Sequence, residues 1–147
     1  MRCVIQRVNG SSVTVDGKLI SEIGKGLNVL VGFTDTDTEE DINYCVRKIV
    51  NLRVFEDENG VMNRSVIEEK GEILSISQFT LYGDTRKGNR PSYIRALGGE
   101  EALPMYERFN ELLNREVPTK AGVFGADMKV EILNDGPTTI IIDTEQK

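Results

Sequence analysis

The chain has 147 residues, 39% of them hydrophobic and 29% charged, with a formal net charge of −6 and no histidine. A single domain with a real core is expected at this length, and no apolar run approaches the ~20 residues that a membrane-spanning helix needs. The lack of imidazole excludes Ser/His and Cys/His catalytic pairs and histidine metal ligands, and the acidic balance excludes indiscriminate nucleic-acid binding while leaving room for a local basic patch.

In chain order, residues 3–8 read as a strand, broken at Asn9-Gly10 and resumed over residues 12–15. Gln6 and Arg7 interrupt the opening apolar stretch, so it does not read as a signal peptide, and the expected compartment is the cytoplasm. Asp16-Gly17 is a two-residue hairpin signal, followed by a strand over residues 19–23. Gly24-Lys25-Gly26 reads as a turn into a largely apolar strand over residues 27–33. The first third is therefore expected to be a β-meander.

A helix is expected to begin at Thr38, with Asp41 three residues on and Glu39 and Glu40 in the first turn, where carboxylates suit the helix dipole. Ile42, Cys45, Val46, Ile49 and Val50 form one apolar stripe at helical spacing. Cys3 and Cys45 lack CxxC spacing and are expected to be buried structural thiols. Asp57-Glu58-Asn59-Gly60 reads as a turn. A buried strand then runs from Glu72 to Phe79. A basic loop follows over residues 85–95. The second amphipathic helix spans about residues 99–114, with Ala102, Met105, Tyr106, Phe109, Leu112 and Leu113 on one face and Pro104 in its first turn. Residues 118–125 read as a loop. Strands over residues 128–133 and 138–143 close the chain, with Asn134-Asp135-Gly136-Pro137 as a candidate hairpin turn between them. The pattern is α+β: one β-rich domain over residues 1–147, a twisted sheet or partial barrel with two covering helices.

The chemistry that the sequence can support is restricted. No Gly-rich phosphate loop of either common type is present. Asp35-Thr36-Asp37, the nearest approach to a carboxylate metal site, does not fit a calcium-loop spacing and reads as a helix-entry loop. Ser77-Gln78-Phe79-Thr80-Leu81 places two hydroxyls, an amide and tight backbone at a strand end. Backbone N–H groups there can hold the oxyanion of a carbonyl under attack. Thr80 is a possible nucleophile, although no histidine or lysine partner lies in its segment. Gly136-Pro137 sits near a second strand end, and sequence does not assign its isomer.

Taken together and in this order, several segments resemble the D-aminoacyl-tRNA deacylase family along nearly the whole chain. They are Ile5-Gln6-Arg7-Val8, Ser12-Val13-Thr14-Val15, Met62-Asn63, Ser77-Gln78-Phe79-Thr80-Leu81, the basic run from Asp84 to Ser92, Phe124-Gly125-Ala126-Asp127-Met128 and Asn134-Asp135-Gly136-Pro137-Thr138. The chain departs at Asn9-Gly10, where some relatives carry a basic residue. The resemblance implies an esterase that frees a D-amino acid from the terminal ribose of tRNA, needing neither cofactor nor metal. It implies a homodimer in which a cis Gly136-Pro137 bond reaches into the partner's pocket, with Arg7 holding that loop. By the same resemblance Ser77, Gln78, Phe79 and Thr80 form the catalytic segment. Phe124 and Met128 complete the substrate pocket, and Arg86, Lys87 and Arg90 contact tRNA.

Overall fold

One long strand organises the molecule. The computed structural model describes residues 1–147. Its elements follow in the order β1 (Arg2–Val15), β2 (Lys18–Ile23), β3 (Gly26–Gly32), α1 (Glu39–Asn51), β4 (Phe55–Glu56), β5 (Met62–Arg64), β6 (Glu72–Ser77), α2 (Gly99–Glu116), β7 (Thr119–Ala121) and β8 (Lys129–Asp143), with a 3-10 turn at Phe79–Tyr82 and another at Thr144–Gln146. The expected break at Asn9-Gly10 does not occur. Gly10 stays in the ladder opposite Leu133, so β1 runs through it.

The β1–β2 hairpin turns at Asp16 and Gly17, whose φ values of 50° and 77° fit a type I′ turn. Gly24-Lys25-Gly26 does not reverse the chain. Ser11 faces Ile23 and Val8 faces Gly26, so β2 and β3 follow one edge of β1 as a single interrupted arm. Along the other edge, β8 pairs from Thr14↔Lys129 to Arg2↔Asp143. The two closing strands are thus one strand, and Asn134-Asp135-Gly136-Pro137 is not a hairpin turn. Val8 faces Asn134 and Gln6 faces Thr139, so Arg7 alone lies opposite residues 135–138, which bulge out of the ladder.

β6 runs parallel to β3, and β7 runs parallel to β6. The segment expected as a loop over residues 118–125 therefore contains a short strand. β6 stops at Ser77 and not at Phe79, because the chain turns into the 3-10 segment. The two ends of the sheet approach each other. Ser21 Oγ donates to the Ala121 carbonyl at 2.7 Å and Lys120 Nζ to the Glu22 carbonyl at 2.7 Å. The result is a nearly closed, barrel-like sheet. Val8, Val13, Ile23, Leu74 and Ile76 form one buried cluster of this sheet.

Both helices cover the larger core. In α1 the Thr38 N–H donates to Asp41 Oδ2 at 2.9 Å, which starts the helix, and Ile42, Cys45, Val46, Ile49 and Val50 are all buried. In α2 the buried residues are Ala102, Tyr106, Phe109 and Leu113. Pro104 lies inside this helix, beyond its first turn. Truncating a fully buried aromatic such as Phe109 is expected to cost about 3–5 kcal/mol. Cys3 and Cys45 are both buried in this layer. The neighbouring Cys45 and burial hold the Cys3 thiol well above its ordinary range. Asp37 accepts the Thr34 N–H at 2.8 Å, which is a helix-entry arrangement. No helix is long and apolar enough to cross a membrane.

Candidate active site

The parallel strands β3 and β6 end side by side, with Val31 opposite Ser77. Their C-terminal ends open into a cleft of about 530 Å³. One wall is the turn that follows β6, and the other is the start of α2 with Phe124, Gly125, Ala126 and Met128. Six of the residues singled out in the sequence line it together: Ser77, Gln78, Phe79, Thr80, Phe124 and Met128. Its walls carry no carboxylate, ammonium, guanidinium or thiol; the one ionisable group is the phenol of Tyr93.

The turn is held tightly. The Gln78 N–H donates to the Val31 carbonyl at 2.7 Å, and the Gly83 N–H donates to the Thr80 carbonyl at 2.9 Å. Gly32 makes this approach possible, since a Cβ there would lie 2.9 Å from the Gln78 carbonyl oxygen. Between these anchors the N–H groups of Phe79 and Thr80 donate to no protein acceptor. They are the leading donors of the 3-10 turn, which has no earlier carbonyl to offer them. The Thr80 hydroxyl accepts from Gln78 Nε2 at 3.0 Å, and no side chain is placed to take its proton. The Phe79 ring is 58% exposed and meets Tyr93 edge-on, with centroids 5.1 Å apart.

Arg7, Gly136 and Pro137 do not line this cleft. They meet at the β8 bulge. The Gly136-Pro137 bond is cis, and Gly136 has φ 130°. A Cβ at Gly136 would lie 2.5 Å from Thr138 Oγ1 and 3.0 Å from Arg7 Nη2. Arg7 is buried; its Nε donates to the Asp135 carbonyl at 3.0 Å and its Nη1 to the Val54 carbonyl at 2.6 Å. Asn134 Oδ1 accepts the Thr138 N–H at 2.8 Å and so closes the bulge. Gly136 and Pro137 are exposed at its tip.

Arg86, Lys87 and Arg90 also lie outside the cleft, in a loop closed by the Asp84↔Ser92 bridge. Arg86 is engaged within the loop, with Nη2 2.7 Å from Asp84 Oδ2. That side-chain hydrogen bond, with the Arg86 backbone N–H, holds the Asp84 carboxyl down at about 2. Lys87 and Arg90 have no carboxylate within 4.0 Å.

Sequence reading did not single out Tyr93, Phe33 or Leu97, which also line the cleft. Tyr93 carried a signal, an aromatic beside a basic run. Phe33 carried none, because nothing in the sequence says that β3 and β6 are neighbours.

The model of the family described as D-Tyr-tRNA(Tyr) deacylase matches residues 4–143. A protein of Parabacteroides distasonis named D-aminoacyl-tRNA deacylase is 60% identical, covering 100% of this chain and 99% of its own. One of Clostridium botulinum with the same name is 59% identical, covering 99% of each chain. Among solved structures, the c-Myc DNA unwinding element binding protein superposes with a TM-score of 0.94 at 46% identity, over 98% of this chain and 99% of that one. A probable eukaryotic D-amino acid tRNA deacylase superposes with a TM-score of 0.80 at 18% identity, over 96% of this chain and 97% of that one, and so shares the fold.

Proposed function

The chain belongs to the D-Tyr-tRNA(Tyr) deacylase family, and from that premise we propose that it hydrolyses the ester of D-aminoacyl-tRNA, releasing a free D-amino acid and free tRNA. The observation that carries this reading is the pair of unengaged N–H groups, of Phe79 and Thr80, at an uncharged cleft. They are suited to the oxyanion that forms when water attacks the ester carbonyl. Each such donor is worth about 3 kcal/mol, or roughly 100-fold in rate.

The cleft supplies no general base, which favours assistance from the substrate itself. The ribose hydroxyl next to the ester relays the proton from the attacking water, and the ribose oxygen that carried the acyl group leaves with a proton. Thr80 acts as a positioning group for Gln78 and the turn, not as a nucleophile.

Chirality follows from exclusion by main chain. In a homodimer, the exposed tip at Gly136 and Pro137 enters the partner's cleft, where its carbonyls face the α-carbon and amine of the substrate. A backbone wall rejects any L side chain by clash, whatever its identity. Glycine has no side chain to clash, so glycyl-tRNA mischarged on a non-cognate tRNA is a second substrate. The outer edge of β8 supports the dimer, since β8 pairs only with β1 and exposes Leu133 and Ile141. The tRNA is held by Lys87 and Arg90, with Arg86 beside them, and the work is done in the cytoplasm where tRNA is charged.

The test is amino-acid release from D-tyrosyl-, L-tyrosyl- and glycyl-tRNA by purified protein with chelator present. Rapid loss of the D ester, an intact L ester and measurable loss of the glycyl ester are expected. Equal cleavage of the D and L esters would overturn the steric filter, and cleavage of none would overturn the esterase.

A further inference from the structure

Most cations of this acidic chain are already paired. Those with no carboxylate within 4.0 Å are Lys18, Arg47, Lys48, Arg53, Lys70, Lys87 and Arg90. Lys87 and Arg90 belong to the loop closed by the Asp84↔Ser92 bridge. Arg47, Lys48 and Arg53 share a second location, where with Tyr44, Asn51 and Leu52 they line a shallow depression of about 460 Å³ at the C-terminal end of α1. All three are exposed. The helix dipole accounts for a cation in the last turn, where Lys48 sits. It does not call for Arg53, which lies beyond the helix. Three exposed cations without carboxylate partners in one place create a local positive potential that suits an anion.

The cluster is mechanically tied to the β8 bulge. Arg53 precedes Val54, whose carbonyl accepts Arg7 Nη1, and the same guanidinium holds the Asp135 carbonyl next to Gly136. One buried side chain therefore links the residue after Arg53 to the residue before Gly136.

We propose that Arg47, Lys48 and Arg53 form a binding surface for the phosphodiester backbone of tRNA, separate from the loop of Lys87 and Arg90. The proposal rests on the deacylase reading for the identity of the nucleic acid. In a dimer whose Gly-Pro tip enters the partner's cleft, Arg7 ties the chain beside Arg53 to the tip that enters it. A charged tRNA would then be gripped by both subunits, with its ester in one cleft and its backbone on the α1 end of the other. This offers a net-acidic protein a second set of phosphate contacts without making its whole surface basic.

The test compares the triple variant R47Q/K48Q/R53Q with a control of equal charge change, K18Q/K70Q/K129Q, each as full-length protein. Binding of uncharged tRNA is measured over a salt series, and hydrolysis is measured on D-aminoacyl-tRNA and on the D-aminoacyl ester of adenosine. The patch variant is expected to bind tRNA at least tenfold more weakly than wild type at ~0.1 M salt. Its log–log salt slope is expected to be shallower by about 2 to 3, since each phosphate contact contributes roughly 0.9. KM for D-aminoacyl-tRNA is expected to rise in step, with hydrolysis of the adenosine ester unchanged. Unaltered tRNA binding, an equal loss in the control variant, or a parallel loss on the adenosine ester would each overturn the proposal. Should wild-type protein bind tRNA and hydrolyse neither ester, the esterase reading falls, while the binding contrast between the two variants still decides the patch.

Discussion

Arg7 and Asp135 are joined across the bulge in β8: the Arg7 Nε–H donates to the Asp135 carbonyl at 3.0 Å, and the same nitrogen lies 3.6 Å from the Asp135 carboxylate. Because Arg7 is the only β1 residue opposite residues 135–138, its guanidinium takes the place of the missing ladder bonds. It also reaches the Val54 carbonyl at 2.6 Å, so one side chain fixes three segments far apart in sequence.

Arg7→Lys tests this geometry. An ammonium is a point donor and does not span both carbonyls as a planar guanidinium does. One buried acceptor is left unpaired, at a cost of about 1–3 kcal/mol. Urea unfolding should show that loss. At temperatures where the variant stays folded, kcat/KM on D-aminoacyl-tRNA should fall more than tenfold, because the Gly-Pro tip is no longer fixed. Wild-type stability and activity would show that the bulge holds its shape without Arg7.

Gly136→Ala probes the same loop from its tip. The residue has φ 130°, a conformation that costs an L side chain about 1–3 kcal/mol. The new Cβ would lie 2.5 Å from Thr138 Oγ1 and 3.0 Å from both Arg7 Nη2 and the Thr138 amide nitrogen. The loop must shift to accommodate it. Deacylation is expected to drop at least 100-fold, against a stability loss of only about 1–3 kcal/mol read by thermal unfolding. A variant that unfolds less readily than wild type would contradict the crowding.

These two residues show how far the sequence could be read. Local signals served well where local physics decides. The Thr38–Asp41 cap and the stripe from Ile42 to Val50 predicted α1, and Asp16-Gly17 predicted the hairpin. Ser77 to Thr80 were singled out for their backbone at a strand end, and the fold does bring them to one cleft with Phe124 and Met128. Misreadings came where a strand partner overrides a local breaker. Gly10 looks like a break, yet Leu133 opposite keeps it in the ladder. Asn134 to Pro137 look like a turn, yet β1 is long enough to pair on both sides of them. The link from Arg7 to Val54 spans 47 positions and has no sequence signal.

The N–H proposed as an oxyanion donor at Phe79 can be separated from the ring that shares its residue. Phe79 opens a 3-10 turn, where proline is tolerated, and Gln78 before it is extended with φ −148° and ψ 92°. Phe79→Pro therefore removes the N–H with little backbone cost. Phe79→Ala removes the ring and keeps the N–H. The ratio of kcat between these variants is expected to be roughly 100-fold in favour of alanine, the worth of one donor. Equal rates would place the oxyanion elsewhere. In the same assay Thr80→Ala should retain turnover within about tenfold; complete loss with tRNA binding intact would return Thr80 to the role of nucleophile.

Two buried tyrosines should respond oppositely to loss of the hydroxyl. Tyr106 donates to the Ser75 carbonyl at 2.7 Å, whereas the Tyr82 hydroxyl is buried without a partner. Tyr106→Phe is expected to cost about 1 kcal/mol, and Tyr82→Phe to be neutral or stabilising. Burial, first among the causes, raises both phenols above their ordinary range. Unfolded tyrosine ionises near pH 10, so their contribution is intact below about 10 and is lost as pH rises beyond it. An alkaline unfolding titration of Tyr82→Phe should therefore be flatter than that of wild type. An identical curve would mean that Tyr82 ionises freely in the folded protein.

Asp84 holds the guanidinium of Arg86, one of the cations proposed to meet tRNA. Its carboxyl sits at about 2 because Arg86 donates to it, by side chain first and backbone second. A lowered carboxyl contributes stability above its unfolded range and loses it as pH falls through the folded value, so the Asp84–Arg86 pair persists throughout the neutral range. Carboxyl NMR should show the Asp84 midpoint near 2 and its rise towards the ordinary range in Arg86→Gln. Arg86 is therefore only partly available to a phosphate. Asp84→Asn keeps an acceptor for the Arg86 backbone N–H, now 3.0 Å away, and releases the guanidinium. This variant is expected to bind tRNA more tightly, with a salt slope steeper by about 0.9, the increment of one added phosphate contact. Unchanged affinity and slope would mean that Arg86 does not face the RNA, leaving that loop's contacts to Lys87 and Arg90.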